Sequence, residues 1–146
     1  MRTSLLVAAV AVLLTGFAPA PFRKPDSGKD DLKKMQGSWL RLSSTNGALP
    51  PVATPINDTV VITGDRINFS GQIYVLTLGR APGVRTFDFK PAQSGKPVLG
   101  GKGWLGVYEL KGDSLRVCFA NRDTRPRGLQ PTLPGEYLQT FTRKKP

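Results

Sequence analysis

The sequence contains no histidine and a single cysteine, Cys118. Without an imidazole there is no Ser-His-Asp or Cys-His relay and no histidine-ligated metal, and one thiol can close no internal disulfide and build no cysteine zinc site. Carboxylates are the next chemistry to consider. Glu109, Asp113, Asp123 and Glu136, the acids that follow Asp88 in the chain, could pair as acid and base for glycoside hydrolysis. Each has a structural account instead: Asp113 closes a Gly-Asp turn, Glu109 faces Arg116 across a hairpin, Asp123 has arginine neighbours, and Glu136 follows a Pro-Gly loop. A hydrolase built on paired carboxylates is therefore the alternative, and the reading is a non-enzymatic protein with no catalytic residue, no cofactor and no metal.

Binding chemistry is better represented. Trp39 and Trp104, with Tyr108, are the aromatic side chains that could stack a ligand at a barrel mouth, although a tryptophan at the start of a first strand also serves to seal a barrel end. Arg122, Arg125 and Arg127 form one basic group and Arg143, Lys144 and Lys145 another, in a chain of net charge +11. Such groups attract acidic glycans or anionic lipid head groups over a long range at low salt. Nucleic acid is not expected, because aromatic residues do not interleave with the basic ones. Cys118 lies mid-strand beside Val107 across a hairpin and reads as an inert packed thiol, with Arg116 on its face as the one cation that could activate it. Gly100 to Gly103 lacks the spacing of a phosphate-binding loop and opens no helix, so it reads as a connection. Asn57-Asp58-Thr59 and Asn68-Phe69-Ser70 match the N-glycosylation pattern, which would mean little if the host were bacterial.

The elements that would position these residues begin after a leader. Residues 1–20 combine Arg2, an apolar run from Leu5 to Leu14 and Ala18-Pro19-Ala20, the three regions of a secretory signal peptide. The apolar run is about half the roughly 20 residues that a spanning helix takes, so the expectation is export to the periplasm or beyond without a permanent membrane anchor. Removing this segment takes only the single charge of Arg2 from the basic excess. Residues 21–29 mix Pro, Gly, Ser and charge and read as a flexible linker. A short helix follows, capped by Asp30 or Asp31 and presenting Leu32 and Met35 on one face, where it could plug a barrel end before stopping at Gly37.

From Gly37 the pattern turns to period two, the mark of strands with one buried face. A first strand of about seven residues carries Trp39, Arg41 and Ser43 in alternation with Leu40 and Leu42. Two hairpins share one design. A Gly64-Asp65 turn pairs Ile62 with Ile67 and Val60 with Phe69, and a Gly112-Asp113 turn pairs Leu110 with Leu115, Tyr108 with Val117 and Glu109 with Arg116. Ile73 to Leu78, Val84 to Phe89 and Tyr137 to Arg143 supply further strands, the first two separated by Gly79 to Gly83. Asn46 to Asp58 and Gln93 to Gly103 read as mobile loops at one rim. About eight short sequential strands favour an all-β, antiparallel up-and-down barrel over residues 30–146, because closure removes sheet edges; a two-sheet β-sandwich is the alternative.

Several of these segments together resemble a known family. Asp31-Leu32-Lys33-Lys34-Met35-Gln36-Gly37-Ser38-Trp39, then Ile62 to Arg66, then the run Leu105 to Cys118, then Arg125-Pro126, are similar to an uncharacterised lipocalin-like domain family expanded in planctomycete bacteria. The most specific piece is Gly106-Val107-Tyr108-x-Leu110-x-Gly112-Asp113-x-Leu115-x-x-Cys118 followed by Arg-Pro. The resemblance spans residues 30–143 and implies an exported bacterial β-barrel module, with no agreed catalytic or ligand residues to carry over. Leu78 to Asp88 departs from the family's Asp-x-Thr-x-x-Pro lead, and Leu129 stands where Phe is common.

The functional expectation is an exported, monomeric β-barrel that holds a small apolar ligand or serves as an interaction module. The alternative is electrostatic binding to an acidic surface polymer through the basic loops. An eight-stranded barrel holds one small ligand or its own side chains, so the interior volume separates a carrier from a filled module.

Overall fold

A computed structural model describes residues 28–47, 53–69, 71–93, 96–97, 102–121 and 123–145. The leader and nearly all of the linker lie outside the described residues. One helix, α1 (Lys29–Met35), precedes nine strands: β1 (Gly37–Asn46), β2 (Ala53–Thr63), β3 (Arg66–Phe69), β4 (Gln72–Ala81), β5 (Val84–Gln93), β6 (Lys96–Pro97), β7 (Leu105–Lys111), β8 (Ser114–Ala120) and β9 (Glu136–Arg143).

All pairings are antiparallel. The sheet runs β4-β3-β2-β1-β9-β8-β7-β5, and β4 also pairs β5, so eight strands close on themselves while the two-residue β6 hangs from the end of β5. The first-to-last pairing of β1 with β9 excludes the sandwich. Closure follows from the alternation in the sequence. Val60, Ile62, Ile67, Leu76, Phe87, Phe89, Leu115, Val117 and Phe141 recur at every second position and form one buried cluster inside the barrel. Both hairpins adopt the expected registers, Ile62 opposite Ile67 and Val60 opposite Phe69, then Leu110 opposite Leu115 and Tyr108 opposite Val117.

The structure corrects four local expectations. β1 is ten residues long and carries a bulge between Arg41 and Ser43, seen against both neighbours. Leu42, the extra residue of the bulge, pairs with neither neighbour and lies on the outer face, 41% exposed, and the shift turns Ser44 rather than Ser43 inward. The Pro-rich stretch from Asn46 is strand at both ends: β1 reaches Asn46 and β2 already starts at Ala53, its Pro55 opposite Ser43. The remainder of that loop, and most of Gln93 to Gly103, lie outside the described residues. Gly79 belongs to the β4 ladder opposite Thr86, where a Cβ would come within 2.9 Å of Thr86 Oγ1, and the β4–β5 turn is Pro82-Gly83 alone. Finally, α1 starts at Lys29, with Gly28 in the left-handed region (φ 77°) at its N-cap and no side-chain cap. A Cβ at Gly28 would touch Leu78, so the close approach to β4 selects glycine there. Asp31, freed from capping, turns toward the barrel instead.

Candidate functional site

The two ends of the barrel are chemically different. The turns at Gly64-Asp65, Pro82-Gly83 and Gly112-Asp113 share one end with α1, since Gln36 bonds Gly64 and Arg143 bonds both Asp113 and Gln36. This end is shut. Trp39 is fully buried, its Nε1–H donates to Met35 O at 2.8 Å, and the Arg143 guanidinium lies 4.4 Å from the Trp39 ring centroid. Arg143 also donates from Nε to Asp113 Oδ1 at 3.0 Å, from Nη1 to Gln36 O at 2.8 Å, and from Nη2 to Lys34 O. Asp31, also buried, accepts from Tyr108 Oη at 2.7 Å and from Arg85 Nη1 at 2.8 Å, which docks the helix onto β5 and β7. Trp39 and Tyr108 are thus seated at the closed end, and Trp104 alone of the three aromatic candidates stands at the other.

Above this plug the interior is filled. Trp39, Val60, Ile62, Ile67, Phe87, Leu115, Val117 and Phe141 leave a void of only about 10 Å³, near the minimum for one water, with Gln139 as the one polar residue on its lining. The barrel then opens into a cup of about 380 Å³. Phe69, Tyr74, Phe89, Trp104, Phe119 and Tyr137 line it, with Arg41, Ser44 and Gln139 as its polar members. The rings brace one another: Phe89 and Trp104 stack with centroids 5.9 Å apart and planes 8° apart, while Phe119 meets Trp104 edge-on at 5.3 Å and Phe89 edge-on at 5.4 Å. Tyr74 closes the ring edge-on to Phe89 at 5.4 Å. Contacts of this kind hold the walls in place before any ligand arrives. Arg41 donates from Nε to Asp58 Oδ1 at 2.7 Å and from Nη2 to Asp58 Oδ2, a two-pronged pair that neutralises the one cation of the lining.

Only Trp104 of the cup was legible as a ligand candidate. The other aromatics are spaced at every second position within their strands, the same pattern that core residues show. Nothing local distinguishes an inward ring near the rim from one at the centre; the difference is strand height, which needs the register of all eight strands.

The outer face carries a second feature that the sequence reading left unexplained. β5 and β7 pair through only Arg85 with Tyr108 and Thr86 with Val107, plus a bridge between Phe89 and Trp104. In the gap, Gly106 N–H donates to Asp88 Oδ1 at 3.2 Å and Gly106 C=O accepts from Arg125 Nη1 at 2.7 Å. Arg125 in turn holds both carboxylate oxygens of Asp88, at 2.9 Å from Nη2 to Oδ2 and through Nη1 to Oδ1. An ion pair thus substitutes for missing ladder bonds, and the chain is brought into place by Pro126, which is buried beside it. Gly106 has no room for a side chain, since a Cβ would lie 2.7 Å from Phe87 O and 3.0 Å from Cys118 O.

Cys118 is fully buried, between Val107 and Leu138 in the ladders. Burial pushes its thiol up to about 12, and the charge of Glu136 adds to the shift. The thiolate that would react is therefore scarce at neutral pH. A disulfide-type thiol reagent at pH 8 is expected to leave the folded protein unlabelled over a time in which urea-unfolded chain reacts completely; equal rates would show that this strand opens readily.

The remaining candidates separate by their partners. Of the basic residues, Arg125 is committed to Asp88 and Gly106 and Arg143 to the closed end, whereas Arg127, Lys144 and Lys145 are exposed and Arg122 lies outside the described residues. Of the carboxylates, Glu109 pairs with Lys111 at 2.9 Å and Arg116 at 3.9 Å, and Asp113 with Arg143 at 3.0 Å. The Lys111 hydrogen bond holds the Glu109 carboxyl below its ordinary range. Glu136 accepts from Thr132 N–H at 2.7 Å and Leu133 N–H at 3.1 Å, and Asp123 is exposed. Asp31 and Asp113 border one groove with Lys34, Arg85 and Arg143, but an arginine holds each of them. Among the described residues no group of three or more histidine, cysteine, aspartate or glutamate side chains could hold a metal ion, and no helix is long and apolar enough to cross a membrane.

Comparison with protein-family models, with curated proteins and with solved structures finds no significant match.

Proposed function

We propose that the protein is a non-enzymatic binding module whose ligand, small and mostly apolar, sits in the aromatic cup at the open end of the barrel. The observation that carries this reading is the division of the interior: a filled base, and above it six aromatic side chains around an accessible space of about 380 Å³. A purely structural barrel gains nothing from leaving Phe69, Tyr74, Trp104 and Tyr137 partly exposed at its mouth, whereas a volume of this size lies within the range of small-molecule sites. Export through the leader and membership of the lipocalin-like family that the motifs resemble belong to the same proposal.

Titration with N-phenyl-1-naphthylamine, a neutral dye that fluoresces in apolar surroundings, tests the cup. Emission should rise saturably, and Trp104→Ala should weaken binding about tenfold, the loss of roughly 1.4 kcal/mol that one stacking platform supplies. Circular dichroism should show the barrel intact in the variant. Binding that ignores Trp104→Ala, or no binding at all, would remove the cup as a site.

A further inference from the structure

An ion pair faces into this barrel. Arg41 on β1 lies opposite the core residue Phe141 on β9 and opposite Asp58 on β2, and Asp58 alternates with the inward Val60, so both charged side chains point to the interior. Their side chains are only 18% and 30% exposed, and Arg41 lines the cup. Charges placed there give up hydration, and apolar residues of similar volume would hold the wall at least as well, so stability alone does not account for the pair. The contact with Asp58 engages Arg41 through Nε and Nη2. Among the described residues Nη1 donates to nothing, and the one sealed polar side-chain atom without a partner is Gln139 Oε1, so Nη1 keeps access to the cup that Arg41 lines.

Resting on the reading of the cup as a ligand site, we infer that its ligand is a compact aromatic compound of one or two rings bearing a neutral carbonyl oxygen, which accepts a hydrogen bond from Arg41 Nη1. The topology supplies the juxtaposition. β5 is four strands from β1 in either direction around the barrel, so Phe89 and the Trp104 ring stacked on it stand across the cup from Arg41. A flat ligand packed against that aromatic wall presents its substituent to the guanidinium on the other side. Charge selects a neutral acceptor over a carboxylate, because Asp58 already neutralises Arg41 and repels a second anion. Depth selects rings over an extended chain, because the base beneath the cup has room for about 10 Å³ and no tunnel for a tail.

Displacement of bound N-phenyl-1-naphthylamine by four competitors tests this class: 2-acetylnaphthalene, 2-isopropenylnaphthalene, in which a methylene replaces the carbonyl oxygen, 2-naphthoate and 2-dodecanone. Combining Arg41→Met with Asp58→Leu removes the donor and leaves no lone charge inside the barrel. That double variant should bind the dye, which carries no oxygen, as wild type does, while the ratio of ketone to alkene affinity falls about tenfold. Asp58→Asn alone leaves Arg41 its charge and should raise the affinity for 2-naphthoate about tenfold, a readout that stands even where the double variant fails to fold. A ratio unmoved in the double variant, or a naphthoate affinity unmoved by Asp58→Asn, would overturn the Arg41 assignment. Wild-type protein that prefers 2-naphthoate to the ketone would overturn the neutral acceptor, and tighter binding of 2-dodecanone than of the ketone would overturn the compact ring. Those results leave the cup itself standing if the dye still binds in a Trp104-dependent way. Failure of the dye as well would bring down the cup and this inference together.

Discussion

Trp39→Ala should cost the fold about 3–5 kcal/mol, read as a fall in the urea midpoint at unchanged slope. Three losses coincide at that position. The indole is fully buried beneath α1, so truncation opens a cavity in a filled base that has little freedom to collapse. The Nε1–H bond to Met35 O, which ties the last residue of the helix to the first strand, disappears. Arg143 loses the ring on which it lies, and with it the best-packed surface of a side chain that also fastens the β7–β8 turn through Asp113 and the helix end through Lys34 and Gln36. Trp39→Phe keeps most of the volume and should cost only about 1–2 kcal/mol. A loss below about 1 kcal/mol for the alanine variant would mean that the plug is incidental to closure. Because the cup lies at the other end, the alanine variant, where it remains folded, should bind the naphthylamine dye as wild type does.

Arg125→Ala is the second large effect, about 2 kcal/mol, from hydrogen bonds between charged or polar groups that are only partly shielded from water. The guanidinium side chain is 26% exposed, as is that of Asp88, which places the pair between a rim contact and a buried one. What sets it apart is location. The ladder between β5 and β7 is the thinnest in the barrel, and Arg125 with Asp88 takes up the N–H and C=O of Gly106 that a regular ladder would pair. Removing Arg125 should therefore act locally as well as globally: hydrogen exchange of the Trp104 and Gly106 amides should quicken before that of β1, β2 and β9. Asp88→Ala should produce the same pattern, and the double variant should be less than additive. Uniform exchange across the barrel, or full additivity, would show that the seam is held by packing alone. Since Trp104 stands at this seam, the same variants bear on the cup, whose wall would loosen with it.

The legible part of this protein is the part governed by near neighbours. A Gly-Asp turn sets the register of the strands on either side of it, so Ile62 with Ile67 and Tyr108 with Val117 follow from a dozen contiguous residues, as does the outward pairing of Glu109 with Arg116. The same locality explains the errors. Gly79 resembles a turn residue and is one of the ladder, because what requires glycine there is Thr86 on the adjacent strand. Asp31 resembles a helix cap and is a buried acceptor, because Arg85 and Tyr108 reach it from 54 and 77 residues away. The bulge at Arg41 leaves no mark that separates it from a regular strand, yet it makes Ser44 rather than Ser43 face the cup.

The candidate site was the less visible half. Trp104 drew notice as a tryptophan, whereas Phe69, Tyr74, Phe89, Phe119, Tyr137 and Gln139 gave the same alternating signal as any inward residue. Arg125 looked like surface charge and proved to be a ladder repair, with both Asp88 and Gly106 as its partners. Alternation and turn chemistry, carried within single hairpins, were enough to indicate an all-β antiparallel body and to favour a barrel, whereas the sandwich fell only with the pairing of β1 to β9. Where along the barrel each inward ring falls depends on strand tilt and on registers summed around the whole circumference, from β1 back to β9. Height decides whether an aromatic side chain is packed into the base or left facing solvent, and so the division into a filled base and an open cup could arise only once the barrel had closed.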